Sequence, residues 1–156
     1  MIKKRLIYLF SFLLVYNLSF PQNVRHLSVK NGLPQSFVSG ISEDEEGFIW
    51  ISTHNGLARY DGNNFEIFQN KPGDNSSISS NFISNSIKGK NGELWLRFDS
   101  GAIDVFNMKT HKVHHIISKD FLSENNITIA RRGWLISQNR SFWYISQDGK
   151  VCKFKL

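Results

Sequence analysis

The stretch from Asn31 to Phe68 reads NGLPQSFVSGISEDEEGFIWISTHNGLARYDGNNFEIF, and its turn residues decide the fold. Phe37 to Glu43 is a strand candidate, followed by a turn over Asp44 to Gly47, where glycine supplies a positive φ that other residues resist. Phe48 to Thr53 is a second strand, and His54-Asn55-Gly56 a hairpin turn, because Asn-Gly is the strongest short hairpin signal. Leu57 to Tyr60 is a third strand, Asp61-Gly62-Asn63-Asn64 a turn, and Phe65 to Gln69 a fourth strand. In Phe48-Ile49-Trp50-Ile51 large apolar residues point to both faces of the chain. A sheet with one wet face would alternate apolar and polar, whereas a sheet covered on both sides need not. Four short strands in about 45 residues, covered on both faces, match one blade of a β-propeller.

The same pattern recurs along the chain. Trp50 opens WISTHNG, Trp95 opens WLRFDSG and Trp143 opens WYISQDG, with Gly56, Gly101 and Gly149 each six residues on. The tryptophans are spaced by 45 and 48 residues, and Gly47 and Gly92 each precede their tryptophan by three. Phe37-Val38 lines up with Phe82-Ile83 at the same offset of 45. The third copy is weaker, with Arg140 where the others have glycine. The repeat-bearing residues are therefore Gly47, Trp50, Gly56, Gly92, Trp95, Gly101, Trp143 and Gly149. The expected fold is all-β: a partial β-propeller of about three four-stranded blades, preceded by a signal peptide. The units run over about 31–69, 78–117 and 127–156, the last incomplete. His26 to Lys30 is read as a further strand, the outermost one of a closing blade.

These residues carry a resemblance. Asn31-Gly32-Leu33, Asp44, Gly47, Ile49-Trp50-Ile51, Thr53, Gly56-Leu57, Arg59-Tyr60-Asp61-Gly62 and Phe65 resemble the two-component regulator propeller repeat; Ser52 departs from it, the family usually having glycine there. The second unit matches through Asn91-Gly92, Leu94-Trp95-Leu96, Gly101, Ile103, Val105-Phe106 and Asn107, and the third through Trp143, Gly149 and Val151. The resemblance implies the periplasmic sensor region of a hybrid two-component histidine kinase of the Bacteroidetes type. Relatives commonly continue into a membrane helix and a cytoplasmic kinase, and many respond to breakdown products of polysaccharides. No kinase His box and no Gly-rich ATP lid occurs in this sequence. The expected role is that of an N-terminal fragment of such a sensor. The alternatives are a truncated stand-alone propeller piece and, further off, a propeller enzyme.

The N-terminus gives the compartment. Lys3, Lys4 and Arg5 precede a mostly apolar run from Leu6 to Phe20, with polar residues at Gln22 and Asn23. The run is short for a membrane span, which needs about 20 apolar residues. It has the order of a secretory signal, so 1–22 is read as a signal peptide and 23–156 as the propeller segment, exported across the inner membrane to the periplasm. Of the net charge of +6, three units belong to that signal. The remaining +3 shows no clustered basic face, so no nucleic-acid partner is expected. The expected partners are an oligo- or polysaccharide-derived ligand bound through a complete propeller and, in the full-length sensor, a second copy in a homodimer. After signal cleavage this segment is expected to make no membrane contact.

No catalytic residue, no metal ligand set and no cofactor is expected from the sequence. The single cysteine, Cys152, cannot form an internal disulfide. His111, His114 and His115 form H-x-x-H-H; on a strand His111 and His115 would share a face, and they read as exposed strand histidines because structural zinc needs four ligands. His54 reads as solvent-facing. Glu43, Asp44, Glu45 and Glu46 lie on one turn, so they cannot flank a substrate, and they read as solvated charge. Tyr60, Phe98 and Trp134 are aromatic residues near loops that could stack on sugars, although blade aromatics are more often core.

Overall fold

Turns written into the sequence cut the chain into short strands, and a computed structural model shows how these pair. It describes residues 24–124, 129–136 and 141–155; the signal segment lies outside them. The first sheet is built of β1 (Val38–Glu43), β2 (Ile49–Thr53), β3 (Gly56–Tyr60) and β4 (Phe65–Phe68). The second is built of β5 (Ile83–Lys88), β6 (Glu93–Phe98), β7 (Ile103–Asn107) and β8 (Val113–Ile117). Both are antiparallel meanders in which each strand pairs with the next. A short helix, α1 (Lys119–Glu124), follows, and then β9 (Ile129–Ile136), β10 (Ser141–Ser146) and β11 (Val151–Lys155), with β10 between the other two. Each repeat tryptophan stands on the second strand of its sheet: Trp50 on β2, Trp95 on β6 and Trp143 on β10.

The central strands of the first sheet, β2 and β3, are buried on both faces, as their apolar residues require. On one side Trp50 and Leu57 pack with Ile78, Ile83, Leu94, Leu96, Phe98, Ala102, Phe106 and Met108, so the main core lies between the two blades. On the other side Ile51 and Ala58 pack with Leu33, Ile49 and Phe65. Fully burying a side chain of this size contributes about 1.5–3 kcal/mol, so this doubly covered strand, and not the exposed turns, holds the blade. The inner strands are tied as well, since Ser39 Oγ donates to the Ile83 carbonyl at 2.7 Å and Lys88 Nζ donates to the Glu43 carbonyl.

One expectation changes. His26 to Lys30 is not a strand; Val29–Asn31 forms a single turn of 3₁₀ helix. The cause is local hydrogen bonding: Ser28 N and Oγ both donate to Asn31 Oδ1 at 3.0 and 2.9 Å, and Gly32 N donates to the Val29 carbonyl at 3.1 Å. Helix α1 was not foreseen either. The two glycines that follow the first and second tryptophans by six are also not equivalent in the ladder. Ser52 pairs with Leu57, but Arg97 pairs with Ile103, so the β6–β7 hairpin is one residue longer. Gly56 begins β3 opposite Thr53, whereas Gly101 sits in the loop and donates to the Phe98 carbonyl at 3.0 Å.

Candidate functional site

The acidic turn of the first blade is a structural knot. Asp44 Oδ1 accepts from Glu46 N at 2.9 Å and Phe48 N at 3.0 Å, and Oδ2 accepts from Trp50 Nε1 at 2.7 Å. Burial works to raise its pKa, but the hydrogen bonds from Trp50, Phe48 and Glu46 and the charge of Arg59 win and hold the carboxyl below its ordinary value. Arg59 lies over the Phe48 ring at 4.5 Å and bonds Glu66 at 2.8 Å. Asp44 is thus the residue that orients the tryptophan indole. At the same offset of 45 the second blade has Gly89, so its turn is built without that carboxylate.

His114 and His115 stand exposed on β8, as the strand reading put them, but His111 does not. His111 lies in the β7–β8 turn with φ 57°, among the rings of Phe68, Trp50 and Phe106 at 4.9, 5.8 and 6.1 Å. It does not converge with His115. His54 is stacked between Phe37 and Phe82, both at 3.9 Å, so the residue expected in solvent is a spacer between equivalent positions of two blades. Half-exposed Phe37 and Phe82 leave an aromatic ladder on the surface. Of the three loop aromatics, Phe98 is buried core, Tyr60 donates to the Gly62 carbonyl at 2.6 Å and packs tilted against Phe65 with ring centroids 4.7 Å apart, and the side chain of Trp134 lies outside the described residues.

The densest polar grouping was missed by sequence reasoning. Asp104 on β7 is fully buried. Its Oδ2 accepts from Ser79 N at 2.7 Å, and its Oδ1 takes Ser79 Oγ at 2.7 Å and His115 Nδ1 at 2.8 Å. His115 Nε2 meets the Asn75 carbonyl at 2.9 Å. The signal was present: a carboxylate between Ile103 and Val105 on a strand must find donors, since burying one unpaired is prohibitive. The three side chains include a serine, a histidine and an aspartate, but they are not wired for nucleophilic catalysis. A relay needs the carboxylate on one ring nitrogen and the serine on the other. Here both meet Nδ1, and a backbone carbonyl occupies Nε2.

This grouping closes one wall of a polar cleft of about 580 Å³, lined by Lys71, Asp74, Asn75, Ser80, Ser100 and His115 among others. The connection between the blades that forms its rim is itself well bonded. Asn70 N donates to Asn81 Oδ1 at 2.7 Å, Asn70 Nδ2 to the Ile78 carbonyl at 2.8 Å, and Gly56 N to the Asn81 carbonyl at 2.8 Å. Among the described residues no three of His, Cys, Asp and Glu are placed to hold a metal ion. No described helix is long and apolar enough to cross a membrane.

Residues 32–55 match the family described as two component regulator propeller. A histidine kinase, P4, of Formosa agariphila is 45% identical over 49 residues, which are 31% of this chain and 4% of that protein. The extracellular domain of a protein named as a hybrid two-component system in B. thetaiotaomicron superposes with TM-score 0.56 at 19% identity, over 84% of this chain and 20% of its own length. A second extracellular domain from that organism, of a protein named as a one-component system, gives 0.60 at 19% identity, over 85% and 17%. The chain therefore spans a small part of each relative. The match at residues 32–55 is thus to a two-component regulator propeller repeat, in a chain that shares the fold of these extracellular domains.

Proposed function

We propose that this chain is an extracytoplasmic sensory propeller segment of a two-component signalling protein, forming the N-terminal part of a hybrid histidine kinase. The observation that carries the reading is the repeat at 32–55, which falls on β1, β2 and their flanks in a blade that packs face to face against a second of the same design. The segment works by binding and not by chemistry, which the non-catalytic wiring of Ser79, His115 and Asp104 supports. Its ligand is an oligo- or polysaccharide-derived molecule held by a complete propeller, and residues 1–22 direct it across the inner membrane. Alkaline phosphatase fused after Glu124 tests the compartment: activity in the periplasm is expected, and activity confined to the cytoplasm overturns it. Calorimetry of the full protein against a panel of oligosaccharides tests the ligand. Saturable binding of one sugar class is expected, and a folded protein that binds none of them overturns the ligand reading.

A further inference from the structure

We propose that His115 is a pH-operated clasp on the connection between the first two blades: protonated it ties Asn75 to Asp104, and deprotonated it releases the tip of that connection. The geometry requires the imidazolium. Nδ1 faces the Asp104 carboxylate at 2.8 Å and Nε2 faces the Asn75 carbonyl at 2.9 Å, and both of these groups only accept. A neutral ring carries one N–H. Kept on Nε2, it leaves the Nδ1 lone pair against a carboxylate oxygen. Kept on Nδ1, it leaves the Nε2 lone pair against the carbonyl. The Ser79 hydroxyl, 2.9 Å from Nδ1, can turn to donate there in the first case, but only by giving up its bond to Asp104 Oδ1.

The neighbouring charges support the same state. Asp104 on β7 is the buried counter-charge, while Lys71 and Asp74 on the connection line the same cleft. Next to His115 on β8, exposed His114 projects to the other face. Burial opposes the charge on His115, but its bonds to Asp104 and Asn75 and the charge of Asp104 raise its pKa above the ordinary 6.5. The sign follows from linkage: a raised folded pKa means the clasp is fully closed below 6.5 and opens as pH rises through the folded value. Ser79 N still donates to Asp104 Oδ2 after release, so the freed part is the tip around Asn75 and not the whole connection. That tip walls the polar cleft, so the proton on His115 sets the shape of the cleft mouth.

The test follows the imidazole resonances of the full protein by NMR and, in parallel, the hydrogen-exchange protection of the Asp74, Ser76 and Ser77 amides. The range is about pH 5.5 to 9, corrected for intrinsic exchange. His115 is expected to titrate above 6.5, with protection of those amides falling about threefold or more through the same pH. His115→Gln, which carries no titrating group, is expected to abolish the pH dependence. A His115 that titrates at or below 6.5 overturns the proposal, and so does protection that stays constant through its titration. The wild-type titration decides the matter even if the variant does not fold.

Discussion

Gly47→Ala and Gly56→Ala put the same methyl group at two positive-φ turns of one repeat, and they should not cost the same. Gly47 has φ +86° with nothing within 4 Å of the new Cβ. The left-handed backbone then costs an L-residue about 1–2 kcal/mol, offset by about 0.4–1 kcal/mol from a stiffer unfolded chain. The net loss is about 1 kcal/mol. Gly56 has φ +111°, and its new Cβ would lie 2.7 Å from the Phe68 carbonyl oxygen and 2.9 Å from Gln69 Cγ. The Gln69 side chain can swing away, but the carbonyl belongs to the end of β4, which pairs with Leu57 through Phe68. Relief must shift β4 or tilt Gly56 off its bond to Asn81. Overpacking of this kind adds about 1–3 kcal/mol, and weakening the hydrogen bond adds about 1. With the backbone cost included, the total for Gly56→Ala is about 3–5 kcal/mol. Urea unfolding followed by tryptophan fluorescence measures both variants. With a slope of about 1–3 kcal/mol per molar, the two midpoints should lie on the order of 1 M apart, Gly56→Ala being the lower. Equal midpoints, or a larger loss for Gly47→Ala, would refute the steric argument.

Asp44→Asn sets an NH₂ group against Trp50 Nε1–H and should cost about 1–3 kcal/mol, read by the same unfolding curves. Because the Asp44 pKa is lowered, its contribution is present above the ordinary 3.8 and is lost as pH falls through the folded value; the gap between wild type and Asp44→Asn should therefore close in acid, and a gap that stays constant would contradict this. Thr53→Val removes a buried hydroxyl that donates to the Gly56 carbonyl at 2.8 Å and accepts from Asn55 N at 3.0 Å. It should lower stability by about 1–3 kcal/mol, and an unchanged thermal midpoint would show that the hairpin does not depend on it. Phe98→Ala should cost about 3–5 kcal/mol as a core truncation; a near-neutral result would place that ring outside the core.

What the sequence determined by itself is the blade. Its turns are local: Asp44 bonds atoms two to six residues away, Asp61 those two and three away, and Thr53 and Gly56 close a hairpin between them. Such contacts are written in consecutive letters, so the four strands of the first unit, the position of each tryptophan on a second strand and the apolarity of both faces could be read directly. Tertiary structure decided the rest. It lengthened the β6–β7 hairpin by a residue that a shared Trp-to-Gly spacing conceals. It also set His54 and His111, both half-buried, against aromatic rings. Above all it joined Asn75, Ser79, Asp104 and His115, whose bonds span 11 to 40 residues. A spacing rule fixes which face of its own strand a residue occupies. Which carbonyl or carboxylate awaits it there depends on how one blade and its connection dock on the next, and that is settled only when the apolar faces close on each other.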